Sequence, residues 1–455
     1  MPTIELGELR GEAPSRPRPP ARTLASARWL RIAGVLALLL ATMAAGRPWP
    51  RSLPEVDVPA RLGALVFTEG GRLFIADPVR TGQPGQPGQQ LAAFRLPGGE
   101  PLWRVPLPMS ESVGFSALVG DTLVLSGASG PRGAWGPPGG RQGRVVAVDA
   151  STGATLWNRA GALEATSTAG DLILWGAQVD WAPPAGTEVG MEIRPGTLQA
   201  VDSESGEVRW SMPAPAGARR SYPESAADGV PIVVVSLPAG RVELRDLATG
   251  AVLRATQLPP LGTGSDVRWS GEVVGDLFLV RERRSVTAYG LDRLDLRWSV
   301  AADLDREFGP VACGDGLCSY GLQGGVRFWD LGTGRTRWAD PRWRQVWQAG
   351  GYVVAARWVG ASRTGPLTVL DPDTGRTLGE LGAWQVPSPR PRGSRLTGVR
   401  VGPDGRAWVA DLDVATRTVR VLGVLHDVSG DCGLGGETLY CRRLDGSIGM
   451  WRLRP

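Results

Sequence analysis

The amino-acid sequence predicts an all-β chain assembled from a repeated unit, on three observations. A thirteen-residue segment recurs, its copies close at intervals of 40 to 54 residues, and the composition suits many short strands separated by turns. Gly 64 and Pro 38 are high for 455 residues, yet 42% of the chain is hydrophobic, which excludes a disordered composition and favours short apolar runs over long helices. The 18 Trp against 7 Phe and 5 Tyr point to repeated use of one ring.

The clearest copy runs Val145-Val146-Ala147-Val148-Asp149-Ala150-Ser151-Thr152-Gly153-Ala154-Thr155-Leu156-Trp157. It is an alternating apolar strand, Asp, a short turn ending in Gly, and a second strand closing on Trp. The pattern returns as Leu198 to Trp210, with Asp202 and Gly206, and as Val326 to Trp338, with Asp330, Thr333 and Gly334. Degenerate copies run from Leu91 to Trp103, Val242 to Arg254, Val286 to Trp298 and Leu367 to Gly379. Alternation puts one face of each strand into the packing between units. Gly at the turn takes a positive φ without a Cβ clash, and Asp four residues earlier bonds the turn's amides. The Trp brings large buried area between neighbouring units, so it reads as structural rather than as part of a substrate site.

Four short strands per repeat is the size of a propeller blade. The expected fold is therefore a β-propeller of four-stranded blades preceded by one N-terminal hydrophobic helix. Seven copies are clear. Residues 396–428 add strands at Arg406 to Asp411 and Thr418 to Leu425, and the end adds Leu439 to Cys441 and Ser447 to Leu453. That count favours eight blades, with seven or nine open, because the strand that closes the ring carries no signature.

Written as Ala-x-Asp-x-x-Thr-Gly-x-x-x-Trp, the recurring segment resembles the quinoprotein-type (PQQ-like) propeller repeat, over about residues 62–455. In layout the chain is similar to the propeller lipoprotein of the outer-membrane assembly machinery and to single-span actinobacterial proteins. The resemblance implies a ring of blades, most often eight. It also brings in quinone-cofactor alcohol and glucose dehydrogenases, so catalysis has to be weighed.

The N-terminus points to a compartment. After a polar, Pro-rich start the chain reads Trp29-Leu30-Arg31, then an apolar run from Ile32 to Gly46, then Arg47, Pro48 and Pro50. Fifteen helical residues span roughly 22 Å, short of the roughly 30 Å of hydrocarbon, whereas eighteen from Trp29 suffice if Arg31 snorkels. A cleaved signal segment ending near Ala44, Ala45 and Gly46 is the alternative, but a 28-residue lead is long for one and favours a retained anchor. Arg10, Arg16, Arg18, Arg22, Arg28 and Arg31 crowd the N-terminal side, so that side stays cytoplasmic and the rest is exported. No Cys lies near residue 46, which excludes a lipoprotein anchor. The expected organisation is a disordered cytoplasmic tail at 1–28, a transmembrane helix or signal segment at 29–46, a linker at 47–61 and the propeller at 62–455. The protein is thus expected at the cell membrane, single-pass, with its C-terminal domain extracytoplasmic.

Four cysteines agree with export. Cys313 and Cys318 bracket Gly-Asp-Gly-Leu, and Cys432 and Cys441 bracket a Gly-rich turn, so each pair is placed to close across a hairpin as a disulfide. A four-Cys metal site is the alternative, but the spacings match no usual zinc pattern.

The function classes narrow by elimination. The net charge of +5 owes +3 to residues 1–31, leaving 44 Arg against 42 acidic groups in the rest, which is no nucleic-acid footprint. No Lys occurs, so no lysine-amine chemistry is available. Quinone-dependent alcohol dehydrogenases, as the resemblance implies, use a calcium site with Asn and carboxylates, a catalytic Asp and often adjacent cysteines. Here no two Cys are adjacent, the one Asn is Asn158 on an expected outer strand, and the one His is His426 near a strand end. No catalytic, cofactor-binding or metal residue is therefore assigned and no cofactor is expected, although calcium held by Asp and Glu alone stays open. The early repeats carry extra Gly/Pro-rich residues between their second and third strands: Pro78 to Gln90, Gly127 to Gly143 and Gly176 to Gly196. Those connections emerge on one face, opposite the Thr-Gly turns, and carry Trp135, Trp181 and Met191 as candidate partner-binding residues. The leading reading is a non-catalytic, membrane-anchored extracytoplasmic propeller that binds a protein or envelope ligand. A quinone-cofactor-dependent oxidoreductase is the runner-up, and a membrane sensor with a short cytoplasmic tail is the third.

Overall fold

Apolar alternation resolves into strands throughout the described part of the computed structural model. It describes residues 53–453 apart from 81–86, 110–111, 128–142, 168, 177–178, 181–191, 194, 217, 223–231, 238–239, 259–269, 283, 303–306, 322–324, 360–362 and 388–392. Among these residues there are eight four-stranded antiparallel sheets, one three-stranded sheet and one two-stranded hairpin. The large sheets follow in chain order as blades 1 to 9: 65–107, 113–160, 162–214, 219–257, 270–301, 307–340, 345–382, 395–425 and 428–452. No helix among them is long and apolar enough to cross a membrane, and the expected N-terminal segment at 29–46 lies outside the described residues.

The core is divided among the blade interfaces. Nine clusters of buried apolar side chains each join one blade to the next: Phe74 and Leu91 of blade 1 meet Leu123 and Val146 of blade 2, and so on round. The last cluster sets Ile448 and Met450 of blade 9 against Leu73 and Phe94 of blade 1. The ring is closed by sheet pairing as well. Glu55–Val58 pairs antiparallel with Ile448–Arg452, with Glu55 opposite Trp451 and Val58 opposite Ile448, and becomes the outer strand of blade 9. Arg442, which is buried, donates to the carbonyls of Arg61 at 3.1 Å and Ala64 at 2.6 Å and so clamps the incoming chain to the last blade.

Two expectations need correcting. The ring has nine blades rather than the favoured eight, and residues 55–58, placed in the linker, form its closing strand. Both errors have one cause. Each of the seven counted copies keeps the turn glycine or the closing Trp, and blades 8 and 9 have neither. In blade 8 the third-strand turn reads Asp413 to Arg417 with no closing Trp, and the outer strand of blade 9 comes from the other end of the chain.

The recurring Trp packs between blades, as expected, and the structure shows how. Trp157 donates its indole Nε1–H to the Ser203 carbonyl in the turn of the next blade, at 2.9 Å. Its ring lies over Gly206, where an added Cβ would stand 2.6 Å from the ring, at a φ of +70. Trp103 meets Ala150 and Gly153 in the same way, Trp210 meets Leu247 and Gly250, Trp298 meets Leu331 and Gly334, and Trp338 meets Pro372 and Gly375. Where the closing position is Arg254 there is no ring to clear. The residue in the glycine's place is then Leu294, at φ +55, and it joins Val242 and Leu244 of the preceding blade in one buried cluster. Where the closing position is Gly379, the turn of blade 8 offers Arg417 at φ +57, and its aliphatic stem covers the glycine. Bulk on one side of the interface is matched by its absence on the other.

Both expected disulfides are formed, Cys313–Cys318 and Cys432–Cys441, each joining the inner strand of its blade to the second strand.

Trp157→Ala is expected to cost about 2–4 kcal/mol, from lost ring burial and one hydrogen bond. Gly206→Ala is expected to cost about 1–2 kcal/mol from its positive φ alone, and more from the ring. In a denaturant-unfolding double-mutant cycle the two should couple by about 1 kcal/mol, because removing the ring removes its clash with the new Cβ; strictly additive costs would refute the latch. Replacing either cysteine pair by Ala should cost about 2 kcal/mol, since such short loops constrain the unfolded chain little. Peptide mapping that finds free thiols in exported protein would contradict the pairing.

Candidate binding edge

Each blade has two edges, and they differ chemically. The turns from third to outer strand sit beside the turns from first to second: the Ala150 amide donates to Asp121 O and Leu291 to Asp276 O, both at 2.8 Å. The connections from second to third strand therefore leave from the opposite edge.

On the turn edge, polar groups saturate one another. Asp149 accepts the amides of Ser151 at 2.8 Å and Thr152 at 2.7 Å, together with both hydroxyls. The Ser151 hydroxyl first, and the Thr152 amide next, hold its carboxyl at about 2. In Asp202 the Ser205 amide is the largest cause of a value again about 2. Asp330 is lowered by Arg337 and then Thr333, and Arg337 also reaches Asp315 and Asp373, each at 3.2 Å. A groove of about 210 Å³ between blades 6 and 7 is lined by Cys313, Gln348, Tyr352 and those two carboxylates. Its carboxylates are already engaged, so it presents no acid–base pair.

The opposite edge is irregular. In blade 1 the expected loop is partly strand: Arg72–Arg80 and Pro87–Arg95 run on past the sheet, with Pro78 opposite Gln89. In blade 3 the insertion holds an extra hairpin, with Val179 opposite Ile193 and Asp180 opposite Glu192. Residues 128–142 of blade 2 lie outside the described residues, between strands Thr122–Gly127 and Arg144–Asp149. Trp135, Trp181 and Met191 themselves lie outside the described residues.

Arginines stacked on indoles mark the same edge. Arg220, at the start of blade 4, lies 4.5 Å over the Trp175 ring and pairs with Glu164. Trp175 Nε1, Arg220 Nε and the Tyr222 hydroxyl are buried with no hydrogen-bond partner among the described residues. Burial, and then the Glu164 charge, push the Tyr222 phenol well above its ordinary value. Glu307, at the start of blade 6, accepts from Ser319 Oγ at 2.6 Å and Arg327 at 2.9 Å, while Arg327 sits over Trp329. Arg342 and Arg357 lie 5.1 and 5.0 Å from the Trp343 ring, and Arg400 lies 4.8 and 5.3 Å from those of Trp384 and Trp408.

The remaining singled-out residues fall apart from one another. His426 is exposed, one residue beyond the outer strand Thr418–Leu425. Asn158 lies on the outer strand of blade 2 and accepts from Arg144 at 3.4 Å. The four cysteines are consumed in disulfides. Among the described residues, no group of three His, Cys, Asp or Glu is arranged to hold a metal ion. The arginine–indole stacks went unseen in the sequence. Their one signal was that Trp175, Trp343, Trp384 and Trp408 close no repeat.

The profile of the family described as outer membrane protein assembly factor BamB matches residues 87–380. Among solved structures, BamB from Moraxella catarrhalis is 14% identical, over 88% of this chain and 98% of its own, with a TM-score of 0.40. The computationally designed Ika8 protein is 15% identical, over 75% of this chain and 96% of its own, at 0.42. A eukaryotic initiation factor is 12% identical, over 91% and 95%, at 0.46. No curated protein matches the chain significantly.

Because Asp149 and Asp202 titrate at about 2 when folded and near 4 when unfolded, they contribute stability that is present above about pH 4 and lost as pH falls towards 2. The thermal midpoint should drop across that window. The Asp149→Asn/Asp202→Asn variant should start lower and drop less, and identical pH slopes in the two proteins would contradict the assignment.

Proposed function

We propose, from the premise that the chain belongs to the family described as outer membrane protein assembly factor BamB, that it is a non-catalytic propeller binding a protein or cell-envelope ligand. The observation that carries this reading is the asymmetry of the ring. Blades 1 and 3 carry added strand residues in their second-to-third connections on one edge, with the long blade 2 connection between them in sequence, while the other edge is closed by its own hydrogen bonds. Loops on a rigid scaffold are where binding residues concentrate, and large rings such as Trp135 and Trp181 suit a partner-facing patch. The apolar run from Ile32 to Gly46 and the arginines before it support a ring held outside the cytoplasmic membrane by a single N-terminal span.

The test is capture of the full-length protein from cells cross-linked before lysis. Trp135→Ala/Trp181→Ala should reduce recovery of the specifically cross-linked partner about tenfold, with the melting temperature held within about 2 °C. Pyrroloquinoline quinone with calcium should leave melting and dye reduction unchanged. Undiminished capture by the variant would remove the insertion edge from the reading. Saturable stabilisation by the quinone together with alcohol- or sugar-dependent dye reduction would replace it with an oxidoreductase.

A further inference from the structure

Two exposed arginines on the insertion edge share an environment. Arg357 lies near the end of the second strand of blade 7, Tyr352–Val359, and Arg400 near the end of that of blade 8, Arg395–Val401. Arg357 stands 5.0 Å over Trp343, and Arg400 stands 4.8 Å from Trp384 and 5.3 Å from Trp408. The positions correspond. The residue after Trp343, Arg344, donates its amide to Ala356 O at 2.9 Å, beside Arg357. The residue after Trp384, Gln385, exchanges two hydrogen bonds with Val399 at 2.8 Å, beside Arg400. The other stacked arginines of this edge are neutralised: Arg220 by Glu164, Arg327 by Glu307 and Arg342 by Asp340. Arg357 and Arg400 have no carboxylate among the described residues.

An indole face fixes the plane of a guanidinium and leaves its N–H edge available. A planar, weakly hydrated fork with little entropy left to lose is suited to a carboxylate in bidentate contact. Sheets packed face to face stand about 10 Å apart, and in an extended polyproline II segment, with three residues per turn and about 3.1 Å per residue, side chains three apart return to one face. Equivalent positions on adjacent blades are therefore matched by carboxylates about three residues apart on an extended segment. We infer that Arg357 and Arg400 form a two-point receptor for the carboxylates of an extended acidic segment of the partner protein, an inference that rests on the protein-binding reading above.

The experiment titrates the full chain with a fluorescein-labelled peptide of Glu-Gly-Ser repeats and with its Gln-Gly-Ser counterpart. The glutamate peptide should bind, less tightly as salt is raised, and the glutamine peptide at least about tenfold more weakly. Arg357→Gln/Arg400→Gln should weaken the glutamate peptide more than about tenfold at an unchanged melting temperature. Arg357→Lys/Arg400→Lys should recover only part of the loss, because an ammonium lacks the stacked plane. Equal binding of the two peptides, or undiminished binding by the double glutamine variant, overturns the inference. Polyphosphate that binds where the peptide does not, and is lost in the same variant, reassigns the site to a phosphate polymer and overturns it too. Partner capture that persists in the double variant while the peptide fails to bind sinks this inference and leaves the protein-binding reading standing. Peptide binding by a chain that captures no partner in cells sinks the protein-binding reading and, with it, the partner segment, and leaves only a receptor for paired carboxylates.

Discussion

The indole seated on the next blade's glycine is the contact on which the rest of the ring depends. A four-stranded blade cannot cover both its faces alone, so each blade is stable only against its neighbours. Trp157 joins the two requirements of such an interface in one side chain: its ring buries area, and its Nε1–H finds the Ser203 carbonyl, so no polar group is stranded. Gly206 is the complement, because its positive φ turns the chain and its missing Cβ admits the ring. The exchanges at Arg254 with Leu294 and at Gly379 with Arg417 show that the interface conserves filled volume rather than residue type. Close packing explains why: a void there loses contacts on both blades at once.

Nine such interfaces close only if the last blade reaches the first. Glu55–Val58 completes blade 9 from the opposite end of the chain, and Val56 takes the place beside Gly99 that a Trp holds elsewhere. Arg442 adds a buried cation whose donors are met by backbone carbonyls, Arg61 and Ala64 among them. The two ends of the described chain thus share one sheet, so loosening either opens the same seam.

Closure in this manner leaves the two edges with different chemistry. The turn edge spends its carboxylates on its own amides and hydroxyls, which holds Asp149 and Asp202 at about 2 and leaves little for a ligand. The opposite edge carries the insertions of blades 1 to 3 and the arginine–indole stacks of blades 3, 4, 6, 7 and 8. The Nε1 of Trp175 and the hydroxyl of Tyr222, buried and without a partner among the described residues, lie near the blade 3 insertion. The hydrogen-bonded turns and the insertions are therefore separated along the blade axis.

The sequence by itself determined the repeat, the strand pairs either side of each Asp-x-x-Thr-Gly turn, the structural role of the closing Trp and both disulfides. All of these are local, set by contacts within about a dozen residues or by a pattern that returns. The edge carrying the insertions was legible for the same reason, since strand order follows from the turns. Tertiary structure alone decided the blade count, because blade 8 has lost both its turn glycine and its Trp and blade 9 borrows residues 55–58, and neither change leaves a periodic trace. It also decided that Leu294 and Arg417 occupy glycine positions, and that Arg357 and Arg400 stand on indoles in adjacent blades. Those facts join residues from different strands and blades, and a one-dimensional period records which residues recur but not which faces meet.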